Sequence, residues 1–169
     1  MYWWYKISAS QVEATIDDTA NYKIRRFYLG MKNGYSLPGE KPSAKTLLVR
    51  TFFSLITNGK LCIYCAENEN EIIHTAYVIP ACWKFPFMKR GEYEIGPCET
   101  LPEYRGRGIY PTVLKKIVSD YKNTTFHMLV AENNSSSIRG VEKAGFIRVG
   151  HSIVTPLKRY IGYEDKKYE

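Results

Sequence analysis

The chain has 169 residues, with 44% hydrophobic and 24% charged side chains, which fits one packed domain over residues 1–169 and argues against disorder. Lys and Arg outnumber Asp and Glu by 24 to 17, a net charge of +7 that suggests an anionic partner without naming it. No stretch approaches the roughly 20 apolar residues of a membrane-spanning helix. The first residues, Met1-Tyr-Trp-Trp-Tyr-Lys6, lack the pattern of a signal peptide. On that basis Cys62, Cys65, Cys82 and Cys98 read as reduced thiols and the expected location is the cytoplasm.

In chain order, Tyr2 to Ser8 reads as a strand. Ser10-Gln-Val-Glu13 has the form of a capping box. Val12, Ile16, Ala20, Ile24, Phe27 and Tyr28 follow at helical spacing, with Asp17-Asp-Thr19 able to divide that helix in two. Gly34 to Ser43 is a loop, and Ser43 caps a second helix carrying Leu47, Leu48, Phe52, Leu55 and Ile56. Leu61 to Ala66 and Ile72 to Cys82 form a hairpin across Glu67-Asn-Glu-Asn-Glu71. Within the first of these strands Cys62 and Cys65 are three residues apart and so face opposite ways, which speaks against a metal or redox pair. Tyr93 to Leu101 is a strand in which Gly96-Pro97 predicts a bulge or the end of regular pairing. Helices are expected over Thr112–Tyr121 and Asn134–Ala144, and strands over Phe126–Ala131, Phe146–Thr155 and Arg159–Tyr163. The order β-α-α-β-β-β-α-β-α-β-β implies an α/β (α+β) fold, a mixed sheet with helices on both faces.

The segment that carries chemistry is Pro102-Glu-Tyr-Arg-Gly-Arg-Gly-Ile-Tyr-Pro111, between a strand and a helix. Gly106 and Gly108 allow a tight turn and close backbone approach, and the helix start presents unpaired N–H groups with the positive end of its dipole. Arg105 and Arg107 add charge, so the turn has the make-up of a phosphate cradle. It is neither a Walker loop nor a Rossmann turn, since the Lys-Ser/Thr of the one and the third glycine of the other are missing.

With Asn134-Ser-Ser-Ser137 and Glu142-Lys-Ala-Gly-Phe146 downstream, the chain resembles the GNAT superfamily of N-acetyltransferases, whose signature Arg/Gln-x-x-Gly-x-Gly/Ala aligns with Arg105 to Tyr110. The resemblance implies a mostly antiparallel sheet with two parallel strands splayed at the cofactor cleft. It implies acetyl-CoA as co-substrate and no metal. Backbone groups of Arg105, Gly106, Arg107, Gly108, Ile109 and Tyr110 would hold the pyrophosphate. Thr100 and Leu101 would pair with the pantetheine arm, and Asn134 and Ser137 would contact it from the next helix. Two positions depart from the pattern: Tyr110 stands at the final Gly/Ala, and Val141 where a tyrosine acid is usual. Tyr110 or water then serves as acid to the leaving thiolate.

Acetyl transfer needs a neutral amine, and the candidate bases are Glu94 and Glu99; bulge geometry decides which faces the cleft. Cys98 reads as a packing thiol rather than an acetyl carrier. His74 and His127 are structural or cleft-lining, and Tyr35 to Ser43 is the expected specificity segment. The acceptor is a small-molecule amine, a phosphorylated one if the remaining positive charge serves it rather than solubility alone, with an amino-sugar nucleotide of surface-polysaccharide synthesis as one candidate. The protein is expected to be a monomer or homodimer and to bind neither nucleic acid nor membrane. A catalytically inactive acyl-CoA-binding module of the same fold is the alternative.

Overall fold

The computed structural model describes residues 1–11, 21–30, 34–69 and 71–165. Its elements are β1 (Tyr2–Ser8), β2 (Lys23–Tyr28), α1 (Ala44–Ile56), β3 (Cys62–Asn68), β4 (Glu71–Pro80), β5 (Tyr93–Thr100), α2 (Ile109–Ser119), β6 (Thr125–Ala131), α3 (Ser135–Lys143), β7 (Ile147–Val154) and β8 (Tyr160–Glu164). The eight strands form one sheet in the order β2-β3-β4-β5-β6-β1-β7-β8. Every neighbouring pair is antiparallel except β5 and β6. The mixed sheet with helices on both faces is therefore as expected. Among the described residues no helix is long and apolar enough to cross a membrane.

One element differs from expectation. Ile24, Phe27 and Tyr28 belong to no helix: Lys23–Tyr28 is an edge strand, paired from Lys23↔Glu67 to Tyr28↔Cys62. Six residues rich in aromatic and branched side chains suit a strand as well as a helix, and the free edge of β3 decides between them. Arg25 and Arg26 keep the new edge polar, and Arg25 Nε meets Glu67 Oε2 at 3.0 Å. The run Val12–Ala20, and with it Glu13 of the capping box, lies outside the described residues.

The core divides by sheet face. On one side Ile109, Val113, Leu114, Ile117 and Val118 of α2 and Val141 of α3 pack on Tyr5, Ala76, Ile95, Phe126 and Met128. On the other, Leu29, Leu37, Ile63, Ile79, Phe85 and Met88 form a second cluster. Cys62 belongs to the first and Cys65 to the second, so their sulfurs diverge across the sheet.

Helix α1 begins at Ser43, whose hydroxyl accepts the Thr46 N–H at 3.1 Å. Its buried face is polar: Arg50, Ser54 and the following Thr57 turn inward. Arg50 forms a two-toothed ion pair with Glu40, Nη1 to Oε2 at 2.6 Å and Nη2 to Oε1 at 3.0 Å, and also donates to the Tyr77 hydroxyl and the Tyr35 carbonyl. The loop of residues 34–43 is thus anchored by one buried guanidinium.

Candidate active site

The bulge foreseen at Gly96-Pro97 sits where β5 leaves its regular pairing with β4. Val78 pairs with Ile95 and Ala76 with Cys98, so two residues of β5 oppose Tyr77 alone. The extra residue turns Ile95 and Cys98 to the same side, toward the α2 core. On its other edge β5 pairs with β6 only at Tyr93↔Phe126 and Glu94↔His127. Beyond Glu94 the two parallel strands part, and the sheet opens.

Two clefts meet at this opening. The first, about 680 Å³, runs over the turn before α2 and along α3; Arg105, Gly106, Gly108, Ile109 and Arg139 are among its walls. The second, about 390 Å³, lies where β5 and β6 part and takes in Glu94, Lys84, Phe85, Leu129 and Tyr160. Cys98, Tyr110, Asn134 and Ser137 line both.

The turn has the geometry that its glycines suggest. Gly106 and Gly108 have φ of +77° and +76°, the left-handed region, and Gly108 caps α2 with no side chain bonded to the first N–H groups. The α2 helix starts at Ile109, three residues earlier than expected, because proline is tolerated in a first turn. Asn134 caps α3, its Oδ1 accepting from the Ser137 N–H at 3.1 Å and the Ser136 hydroxyl at 2.9 Å.

Other expected residues are differently disposed. Arg105 folds back, its Nε donating to the Thr100 carbonyl at 3.0 Å, and the Thr100 hydroxyl meets His74 Nδ1 at 2.7 Å. Arg107 lies over the Tyr104 ring at 5.1 Å, in a third cleft that also holds Lys115 and Lys143. Leu101 lines none of these clefts, and its N–H donates to the Ile73 carbonyl at 3.0 Å, so it is not free for a ligand. Residues 34–43 line none of them either; the walls come instead from the β4–β5 connection and β8.

The two candidate bases separate clearly. Glu99 is exposed and lines the first cleft. Glu94 is buried, lines the second cleft, and lies against the bulge, where a Cβ on Gly96 would stand 2.8 Å from its Oε1. Its Oε2 has no hydrogen-bond partner among the described residues. Burial pushes its pKa up to about 8, against a small downward pull from the Lys84 ammonium.

Tyr110 points into the junction. Its ring lies against Gly140 of α3 and 5.7 Å from the His74 ring, and it lines both clefts together with Cys98. Burial, then the neighbouring Cys98 and Glu94, hold the phenol well above its ordinary pKa. Burial does the same to Cys98, helped by Glu94. His74 is pushed down to about 4 by burial, so its imidazole is neutral, with Nε2 unpaired among the described residues. Val141 is buried in the α2 core and lines no cleft.

Ser136, Arg139, Gly140 and Lys143 are cleft residues that sequence reasoning missed. Their spacing was the available signal, since positions 136, 139, 140 and 143 form one stripe of a helix. His127, by contrast, lines no cleft: it is held between the Trp4 indole N–H at 3.1 Å and Glu92 Oε2 at 2.9 Å.

A sheet parted between two parallel strands, over a glycine turn that starts a helix, is the arrangement that the resemblance to the N-acetyltransferases implies. The chain belongs to the acetyltransferase (GNAT) family, whose sequence pattern it matches over residues 31–146. Solved structures share the fold. A conserved protein of unknown function from Staphylococcus epidermidis superposes with a TM-score of 0.57 at 12% identity, over 95% of this chain and 57% of that one. A GNAT-family acetyltransferase from Colwellia psychrerythraea does so at 0.51 and 12% identity, over 87% and 52%. The chain therefore spans little more than half the length of these solved chains. No curated protein matches it.

Proposed function

We propose that the protein transfers the acetyl group of acetyl-CoA to a primary amine by direct attack, both substrates being bound together. The observation that carries this reading is the continuity of the opening, from the anion-ready turn at Gly106–Ile109 through the parted strands to buried Glu94. The pyrophosphate fits the start of α2, where no side chain takes up the first N–H groups, with Arg139 and Lys143 adding charge from α3.

In this reading the donor supplies an acyl thioester. Glu94 takes a proton from the ammonium, whose freed lone pair forms the new C–N bond as the C–S bond breaks. A base with a pKa near 8 suits this step better than an ordinary carboxylate, because it holds the abstracted proton more firmly. Tyr110 gives a proton to the departing sulfur and is made whole again by the second proton that the new amide nitrogen sheds, so the one net proton of the reaction rests on Glu94; its raised pKa keeps the phenol protonated until a thiolate appears. The same burial keeps Cys98 as a thiol, which favours direct attack over an acetyl-enzyme.

The test is calorimetry with acetyl-CoA followed by release of free CoA across a panel of amines, amino-sugar nucleotides and peptides. Binding together with amine-dependent thiol release is expected. No bound heat at saturating acetyl-CoA would end the proposal.

A further inference from the structure

Lys84 carries a charge that the described residues leave unanswered. It stands in the β4–β5 connection, in the wall of the second cleft that also holds Glu94. Its Nζ lies over three aromatic rings from separate parts of the chain: 5.1 Å from the centroid of Phe53, 5.3 Å from Phe85 and 5.4 Å from Tyr160. The position is braced. The Tyr160 N–H donates to the Lys84 carbonyl at 2.9 Å, Phe85 stacks on Tyr160 at 5.6 Å, and Arg159 Nε donates to the Trp83 carbonyl at 3.1 Å. Lys84 makes no ion pair with any described residue.

Two physical consequences follow from such a cage. Aromatic faces attract a cation but add no net charge, so the ammonium is held without being neutralised. They also keep it from closing onto Glu94. A contact pair of the two would leave neither a base nor a cation for a ligand. The cleft instead presents an ammonium and a carboxyl group held apart, with the apolar walls of Ile79, Phe85 and Leu129 nearby.

We propose that Lys84 is an anion-binding subsite of the acceptor pocket, and that this enzyme selects primary amines that also carry an oxyanion, a carboxylate or a phosphate. The amine goes to Glu94 and the oxyanion to Lys84. This rests on the acetyltransferase reading above and gives it a substrate class. Selection works in both directions. The oxyanion gains a charge-assisted bond, while an amine without one brings a second cation into a cleft that already holds Lys84.

The experiment uses the full chain with acetyl-CoA and matched amines that differ in one group: phenylalanine against phenethylamine, and glucosamine 1-phosphate against glucosamine. The anionic member of at least one pair is expected to have a kcat/KM roughly tenfold higher, mostly through KM, since one charge-assisted bond is worth about that factor. Which pair responds distinguishes carboxylate from phosphate. Lys84→Met keeps the stem and removes the charge, and should collapse the ratio toward one; Lys84→Arg should retain it. Calorimetry with acetyl-CoA on each variant checks that the fold and donor site are intact. Equal or higher kcat/KM for the neutral members, or a ratio unchanged in Lys84→Met, overturns the subsite while leaving acetyl transfer standing. Absence of acetyl-CoA binding by the unsubstituted chain overturns both.

Discussion

The Tyr110 ring fills the space that a side chain at residue 140 would need: a Cβ on Gly140 would collide with Tyr110 Cδ1. Glycine within α3 is therefore a packing requirement. Alanine favours a helix interior by about 1 kcal/mol over glycine, whereas an overpacked contact costs roughly 1–3 kcal/mol. Gly140→Ala should lower stability in the natural chain and raise it in a Tyr110→Ala background. Denaturant melts of the four proteins in that cycle test the contact, and stabilisation in both backgrounds would refute it.

Tyr110→Phe removes the hydroxyl and keeps the ring against Gly140. We expect kcat to fall about 100-fold, the scale of a lost acid–base group, with acetyl-CoA affinity nearly unchanged. Measured with a thioester whose thiol is more acidic, the deficit should shrink, because such a leaving group needs less protonation. An equal deficit with both donors would assign Tyr110 a packing role only.

Glu94 governs a pH dependence in both rate and stability. As base it must be ionised, so kcat/KM should rise with pH through an apparent pKa near 8, and Glu94→Gln should flatten the profile at a low level. For stability the sign runs the other way. A carboxyl whose folded pKa is raised from 4.5 to about 8 binds its proton more tightly when folded. Its contribution is complete below about pH 4.5 and is lost as pH climbs through 8. Relative to the natural chain, Glu94→Gln should gain stability between pH 5 and pH 9, by up to roughly 4 kcal/mol. Melting curves at the two pH values measure it.

Arg50 is 4% exposed and satisfies Glu40, Tyr77 and the Tyr35 carbonyl at once. Burial alone would raise the Glu40 pKa, but hydrogen bonds from Arg50 and the Leu37 N–H bring it below its ordinary value. Arg50→Met should destabilise by about 3–5 kcal/mol, since it strands a partly buried carboxylate, and the double substitution with Glu40→Gln should recover much of that. The pair's support should also weaken as pH falls through the lowered Glu40 pKa, so acid melts of the natural chain and Arg50→Met should converge.

Cys98 provides a negative control on mechanism. Its thiol is held protonated by burial and lines the same clefts as Tyr110. Intact-mass measurement of the protein kept with acetyl-CoA and no amine should show no added acetyl group on Cys98. A stable adduct there would replace direct attack by a two-step route.

Much of this site was legible from residues close together in the chain. Gly106 and Gly108 before Pro111 specify a turn into a helix start through backbone preference alone, and Asn134 specifies a cap through its own Oδ1. Ser43 sets the start of α1 in the same way. Cys62 and Cys65 face opposite ways because strand geometry requires it. Each of these is decided within a few residues, where sequence and conformation are directly linked.

What the tertiary structure decided lies between distant segments. Residues 23–28 became a strand because β3 had an edge to pair, a fact absent from their own periodicity. Glu94 took the buried position because β5 still pairs there with both β4 and β6, whereas Glu99 lies beyond the point where β5 and β6 part, and that point exists only once the strands are in register. Leu101 was withdrawn from the site by the Ile73 carbonyl. Phe53, Lys84 and Tyr160 are scattered through the sequence and meet only by packing. Local rules thus supplied the anion-ready turn and its caps, while long-range pairing chose which carboxylate, which phenol and which cation face the opening.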